Sequence, residues 1–594
     1  MAPLAMLPAR VTMDRDAWLR VFVMLGFTES RTPFREIRRL EAGESLDCVR
    51  GVVERKVALP SWLTAGARSS SWDEVTDAIL AAMPAQAPDG VDIPLSGGLD
   101  SRILLLASRR LGLGPIRTWS TPHELGWDDD VRMAQAVAET VGVPWTLIDY
   151  GVEDWRAARR PLARRLEHTT VLHTWFGPLA QAMHDRTGPL LDGLAGDVLM
   201  LTHDSLPAAG GADALSQVWH VLGSWRFGLM PRLRPELMDG VVAEFRDEWL
   251  ATHRRWAGHP YGRSIVRLLT RTSHVIGPSP FRLLGPERQV ITPFVDPLVV
   301  EAVLNSPPLP EGESDLRRVV LRNLDPRVAA LPSTNDAQPQ DGRSFTERGK
   351  GDPASLRDLV ADIRSRPEVE DLFAPGVLAR VDADGSADDP TVLALRTGAM
   401  MSSWLSDWSA HLAPAPGREH RDSVLVAPPQ RATGSADAES ESRTTLPIPP
   451  LKLSTLPYPH TPLAIAIARN GTALSREPAL VEFARKNGFE LAERDGACVV
   501  VDHRAAAGNG DDCLFTGIAF AEDGLVFGAD DRPVPEELKE AYGEFSLIAF
   551  TGRGIELRTD YFGFGKWYYF IDDDHFIAAT GYHLLLLLLA ACST

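Results

Sequence analysis

The chain has 594 residues, 44% of them hydrophobic, and a formal net charge of −19. This length predicts two or more domains, and the composition is that of a globular protein. An acidic balance excludes a generic nucleic-acid or anionic-membrane binder, because no excess of Lys and Arg could release phosphate counterions.

The first apolar run with a readable continuation is Val91-Asp92-Ile93, followed by Pro94-Leu95-Ser96-Gly97-Gly98-Leu99-Asp100-Ser101 and a helical pattern over Arg102 to Ala107. Strand, glycine turn and helix together present backbone N–H groups to a phosphate. The two glycines let the backbone approach an anion closely. Asp100 adds a hard oxygen ligand for Mg²⁺ beside it. The Gly-Lys-Ser/Thr ending of a Walker-type loop is lacking. Ile116 to Ser120 reads as a second strand, Asp128 to Val141 as an amphipathic helix with an acidic first turn, Trp145 to Ile148 as a third strand and Pro189 to Asp192 as a fourth. Strands spaced by helices predict a parallel, doubly wound α/β sheet with ligands at the strands' carboxyl ends. Helical patterns continue to Leu412, including Arg263 to Thr272, Leu298 to Leu304 and Leu393 to His411.

Residues 413–460 are rich in Pro, Ser, Ala, Glu and Arg and read as a flexible linker. The remainder has β-type composition over Leu463 to Ile467, Gly517 to Phe527, Phe545 to Phe550, Ile555 to Arg558 and Trp567 to Ile571. Leu584 to Leu589 is the longest greasy run. It is too short to span a bilayer and reads as a buried helix. The cysteines Cys48, Cys498, Cys513 and Cys592 show no metal-type spacing and fit a reduced, cytoplasmic setting.

Three segments carry a resemblance. Ser96 to Ser101 resembles the pyrophosphate loop of ATP pyrophosphatases. With Leu191-Asp192-Gly193-Leu194-Ala195-Gly196-Asp197 and Pro293-Phe294-Val295-Asp296-Pro297-Leu298-Val299-Val300-Glu301, it resembles the synthetase domain of the asparagine synthetase family over residues 70–412. The resemblance implies ATP and Mg²⁺ as cofactors. Ser96, Gly97, Gly98 and Ser101 would cradle pyrophosphate, Leu95 and Ser120 would lie by the adenosine, and Gly193 by the α-phosphate. Asp100 and Asp197 would hold the metal. The family's usual Asp-Glu ending is Asp197-Val198 here. The family's late lysine has no clean match in Leu331 to Asp336; Lys350 is the nearest candidate. Arg317, Arg318 and Arg322 on one helix could neutralise pyrophosphate. His168 and His173 are candidate amine bases.

Gly543 to Phe550, Arg558 to Gly563 and Tyr568-Tyr569 resemble the family's amidotransferase-like α+β (Ntn-type) sandwich. The segment that should end that domain resembles Arg31 to Gly43, at the front of the chain. The resemblance therefore implies a circular permutation, with 1–65 completing the sandwich, 66–412 the adenylating domain, 413–460 the linker and 461–594 the rest of the sandwich. Glutaminase chemistry needs a cysteine whose own α-amino group acts as base. The domain starts near Thr461 without one, which implies that the amine comes from the substrate. In its Asp192-to-Val198 turn and its Tyr582-His583-Leu584-Leu585 run the chain resembles, among family branches, the lasso-peptide cyclases, which form a macrolactam from a precursor peptide through an acyl-adenylate. Partners would then be that peptide, a leader peptidase and a leader-binding protein. The alternatives are another amide-forming or β-lactam-forming ligase, or a non-catalytic peptide-binding scaffold.

Overall fold

The computed structural model describes residues 11–50, 52–58, 63, 71–121, 128–148, 152–172, 176–183, 186, 188–200, 215–216, 219, 229–257, 259, 261–284, 289–307, 309, 315–336, 352–413, 463–468, 474, 478–487, 489–494, 497–502, 513–520, 526–527, 542–552, 554–560, 562–563, 565–572 and 574–592. His173, Lys350 and the expected linker from 414 onward lie outside them.

The first helix is Arg15–Met24. Asp14 starts it, its carboxylate accepting from the Ala17 amide at 2.9 Å, as an N-cap does. Trp18 on this helix packs against Phe27 and against Trp404 of the long helix Asp389–Trp408. The head of the chain is thereby anchored on the helices that close the central region. Three strands follow: β1 (Arg38–Arg39), β2 (Glu44–Val49) and β3 (Val52–Val57).

β4 (Val91–Pro94), β5 (Ile116–Ser120), β6 (Trp145–Leu147), β7 (Leu190–Leu191) and β8 (Val290–Ile291) form one sheet in the order β6-β5-β4-β7-β8. Every pairing in it is parallel. Val91 and Ile93 of β4 are fully buried, as a central parallel strand requires. The chain runs from β4 outward through β5 and β6, then returns to the other flank of β4 as β7. The strand order thus reverses between β4 and β7, and ligands bind in the crevice at such a reversal. The four strands read from the sequence lie here. β8 is two residues long and leaves no periodic trace.

The helix expected over Arg263 to Thr272 is an α-helix only over Gly262–Arg267; it continues as a π-helix over Leu268–Ile276. A second π segment follows at Pro280–Leu284. Single π turns are rare and concentrate at functional sites, so a nine-residue run marks this wall of the crevice.

The tail supplies β9 (Leu463–Ala468), β10 (Phe489–Arg494), β11 (Ala497–Asp502), β12 (Cys513–Phe520), β13 (Val526–Phe527), β14 (Tyr542–Phe550), β15 (Ile555–Thr559), β16 (Tyr568–Ile571) and β17 (His575–Ala579). Strands from the head complete its two six-stranded sheets. One runs β1-β16-β17-β9-β11-β10 and the other β13-β12-β14-β15-β2-β3. β1 pairs with β16 and β2 with β15, both antiparallel. Alternation decides the layering. Ile465 and Ile467 of β9 enter a cluster with Leu514 and Ile548 of the other sheet, whereas Ala464, Ala466 and Ala468 face helices. Pro478–Asn487 packs on β10 and on a second helix, Tyr582–Cys592, which lies against β9. The second of them buries Leu584, Leu585, Leu586, Leu588 and Leu589. Among the described residues no helix is long and apolar enough to cross a membrane.

Buried polar contacts tie this tail to the central region. Tyr568 Oη donates to Glu167 at 2.9 Å, and Arg282 pairs with the same carboxylate oxygen. Lys566 Nζ donates to the Ser273 carbonyl of the π-helix at 3.0 Å.

At the head, Glu29 sits in an acid-rich seam. Its Oε1 is sealed from solvent without a hydrogen-bond partner. Burial, and then Glu248 and Glu41, push its carboxyl up to about 7 against the pull of Arg20 and Arg31. The fold therefore favours the neutral acid. That preference is fully present below the unfolded value near 4.5 and is lost as pH rises through 7. Glu29→Gln is expected to melt with the parent at pH 4 and several degrees above it at pH 8; an equal difference at both pH values would contradict this assignment.

Candidate active site

The site is built where β4 and β7 end. Leu95 leaves β4 by donating its amide to the Trp119 carbonyl of β5 at 2.7 Å. Four amides follow in a row, each meeting a side-chain acceptor. Ser96 N–H donates to Ser101 Oγ at 3.1 Å, and Gly97 N–H to Asp130 Oδ1 at 2.8 Å. Gly98 N–H donates to Ser96 Oγ at 3.2 Å, and Leu99 N–H to Asn335 Oδ1 at 3.3 Å. The helix Asp100–Arg110 begins there without a side-chain cap of its own. This row of donors at a helix start is suited to an anion. Gly97 is required by crowding, since a Cβ there would lie 2.7 Å from the Thr334 methyl.

The second turn leaves β7. Asp192 Oδ1 accepts the Leu194 amide at 2.9 Å, and Ala195 takes a left-handed φ of 72°. A non-glycine residue in that region is uncommon and marks a turn held by its surroundings. Gly193 and Gly196 let this turn press on the first one. A Cβ on Gly193 would lie 2.9 Å from Asp100 Cβ, and one on Gly196 only 2.5 Å from Asp100 Oδ1. Asp197 opens the short helix Gly196–Met200 beside them.

A cavity of about 290 Å³ lies between the turns. Its polar floor includes Ser96, Asp100, Ser101, Asp192, Gly193 and Asp197. Trp119, Phe176, Leu179, Ile276 and Pro280 form an apolar wall. Leu95 and Ser120 also line it. Ser120 Oγ is committed as a strut: it donates to the Leu95 carbonyl at 2.6 Å and accepts from Trp145 Nε1 at 2.9 Å.

Charge in the cavity is closely matched. Asp315 caps the helix Leu316–Leu324 and holds Arg317 in a two-pronged pair, at 2.8 and 2.6 Å. Arg317, 1% exposed, then reaches Asp100 Oδ1 at 3.0 Å. Burial raises the Asp100 carboxyl to about 6; Arg317 opposes this and the neighbouring Asp197 adds to it. Burial acts on Asp197 as well, but Arg267, Arg317 and Arg271 outweigh it and hold that carboxyl below its usual range. Arg267 Nη2 lies 3.5 Å from Asp197 Oδ2. Asp197 is 41% exposed because it opens onto the cavity. Burial raises Asp192 to about 7, and Asp100 contributes to that rise.

Leu95, Ser96, Asp100, Ser101, Ser120, Gly193 and Asp197 thus share one cavity, with Gly97 and Gly98 in the turn that frames it. His168 is not brought there. Glu167 and His168 adopt consecutive left-handed backbones, φ 52° and 53°, which turn the imidazole inward. It is fully buried, with Nε2 3.3 Å from Ser403 Oγ and 3.7 Å from Asp407, against the helix Asp389–Trp408. That packing corrects the expectation of an amine base at this position. His173 and Lys350 lie outside the described residues. Of the three helix arginines, Arg317 reaches Asp100, Arg318 pairs with Asp336, and Arg322 lies on the exposed side. Val198 is 4% exposed, so the position after Asp197 is a packing position in this chain. Asp296 of the third motif caps the helix Pro297–Leu304 through the Leu298 amide at 2.8 Å. In the tail, Cys498 and Cys513 are buried strand residues, and burial pushes the Cys498 thiol up to about 12, away from nucleophilic use.

Sequence reasoning missed Asp130, Asn335, Arg267 and Arg271. Asp130 stood within a readable acidic first turn. The others carry no local signal.

Residues 73–257 match the asparagine synthase family. The asparagine synthase domain matched there includes both turns, β4 to β7 and the first helices beyond, while β8 and Arg317 lie past its end. The match covers less than half of the chain and is a similarity to a family of ATP-dependent, amide-forming ligases, with which an anion-binding turn beside paired carboxylates agrees. No curated protein sequence matches the chain.

The interlocking of the turns gives a direct test. Gly196→Ala should push the Asp100 carboxylate off Arg317, and a crystal structure of the variant should show Asp100 Oδ1 beyond hydrogen-bond distance of Arg317 Nη1. An Asp100–Arg317 contact kept at 3.0 Å in the variant would contradict the packing.

Proposed function

We propose that this chain forms an amide bond at the expense of ATP through an acyl-adenylate, and that its substrate is a lasso-type precursor peptide closed into a macrolactam. The observation that carries the ligase reading is the meeting of the 96–99 turn, which reaches the cavity through Ser96, with Asp100 and Asp197 at the sheet's strand-order reversal.

A substrate carboxylate would attack the α-phosphorus of ATP, forming the acyl–phosphate bond as the bond to pyrophosphate breaks. The amides of Ser96 to Leu99 are suited to the departing pyrophosphate, with Ser96 and Ser101 supplying hydroxyls. Arg317, Arg267 and Arg271 offset the negative charge that accumulates there. Asp100 and Asp197 fit Mg²⁺: both offer hard oxygens to the same cavity, and their mutual repulsion already raises Asp100. When bound, the metal would shield the phosphate charges. The apolar wall of Trp119, Phe176 and Ile276 suits an adenosine held beside Leu95 and Ser120. An amine of the substrate then attacks the acyl carbon, loses a proton and releases AMP. Lys350 and His173 remain proposed for transition-state charge and for that proton.

The peptide-cyclase reading rests on the resemblance of the Asp192 to Val198 turn and of the Tyr582 to Leu585 run. The raised thiol of Cys498 favours a substrate amine over ammonia freed from glutamine by that cysteine. The interleaving of β1 and β2 with β16 and β15 supports 1–65 and 461–594 as one amidotransferase-like sandwich, permuted about the adenylating domain at 66–412. A leader peptidase and a leader-binding protein would act upstream on the same peptide.

Pyrophosphate release from Mg·ATP should depend on a linear precursor peptide, whose mass falls by one water. Asp100→Asn and Asp197→Asn should each lower that release by about a hundredfold or more while the melting curve is kept. Full turnover in both variants would refute the assignment of these acids. Release driven by ammonia and not by peptide would move the chain to a different amide-forming branch.

A further inference from the structure

Gly97 is held from three sides. Its carbonyl accepts from the Thr334 amide at 3.0 Å and from Arg102 Nη2 at 2.9 Å. Its amide donates to Asp130 Oδ1 at 2.8 Å. The same carboxylate bonds the Thr334 side chain and faces the Arg102 guanidinium. Asn335, next in sequence, accepts from Leu99 N–H. Arg102 also bonds the Leu331 carbonyl at 3.2 Å and the Pro332 carbonyl. Asp130 lines the cavity. A hydrogen-bond acceptor on the Gly97 N–H occupies one place, and Asp130 Oδ1 occupies it.

We propose that Asp130 is a built-in competitor for the anion turn: its carboxylate takes the Gly97 amide that a pyrophosphate oxygen would use, and nucleotide binding turns it out. This rests on the nucleotide reading above and adds to it. Displacement of Asp130 also breaks its bond to Thr334. Nucleotide entry is thereby coupled to the segment Leu331 to Asp336, which crosses the turn. Asp130 acts as a positioning residue, through Gly97 and Thr334. A carboxylate beside a polyanion site is unfavourable when the anion is bound, so selection for affinity alone gives no reason for an acid here. A reversible cap that keeps the four-amide turn in shape does.

The test uses the full chain and calorimetric binding of inorganic pyrophosphate and of Mg·ATP to the parent, Asp130→Ala, Asp130→Asn and Asp129→Asn. Loss of a competing charged hydrogen bond predicts about tenfold tighter binding of both ligands by Asp130→Ala. Asp130→Asn, which keeps an acceptor oxygen, should gain less, and Asp129→Asn, a neighbouring charge deletion, less than twofold. Hydrogen exchange at the Gly97 amide should be slow in the parent, fast in Asp130→Ala, and slow again in that variant with pyrophosphate. Unchanged or weaker binding by Asp130→Ala would overturn the proposal. Equal gains in all three variants would reduce the effect to net charge and overturn it too. A parent that binds neither ligand would overturn the nucleotide reading itself, and this inference with it.

Discussion

The close approach of two turns at the reversal of a parallel sheet is the constraint on which this structure depends. Gly193 and Gly196 have no side chains because Asp100 stands where a Cβ would go. Asp100 in turn stands where it does because Arg317, clamped by Asp315, holds its Oδ1. Two acids beside each other in a half-enclosed cavity repel, and the structure offsets that repulsion with guanidinium groups from two directions. Arg317 comes from the helix packed on Asp100–Arg110, while Arg267 and Arg271 come from the α-to-π transition across the cavity. A metal-bound polyanion would present the same acids with positive charge and the same arginines with negative charge. On the proposed nucleotide reading, the site is thereby balanced for an exchange of partners, the acids passing to metal and the arginines to phosphate.

The outer layers position this centre more than they take part in it. The sandwich formed by the two ends of the chain reaches the central region through Tyr568, Lys566 and the buried Glu167–Arg282 pair. Lys566 is bonded to the π-helix whose beginning carries Arg271, and Ile276 at its end lines the cavity. Burying a charged pair that is also bonded by Tyr568 is costly unless each partner is in place, so this junction has little freedom to slide.

Much of the site was legible because its chemistry is local. A glycine turn between a strand and a helix, and an acidic turn after a later strand, are each written in eight or fewer consecutive residues. The partners that complete them are not. Asp130 lies 33 residues from the amide it accepts, Asn335 lies 236 residues from Leu99, and Arg317 lies 217 residues from Asp100. No periodicity connects such positions. His168 shows the converse failure. Its residue type and place before β7 suggested a base, but two left-handed residues reverse the chain and send the ring into the core. Backbone strain of that kind has no sequence signature when the residues are Glu and His. β10 and β11 went unread amid alternation too weak to separate them from their surroundings, whereas β9 and β15 announced themselves with Ile and Leu on one face.

The most direct measurement is a crystal structure with Mg²⁺ and a non-hydrolysable ATP analogue. The β- and γ-phosphates should lie on the amides of Ser96 to Leu99, a metal should be held by Asp100 and Asp197, and the Asp130 carboxylate should be turned away from Gly97. A nucleotide bound elsewhere, with both acidic turns still paired only to arginine, would contradict this placement.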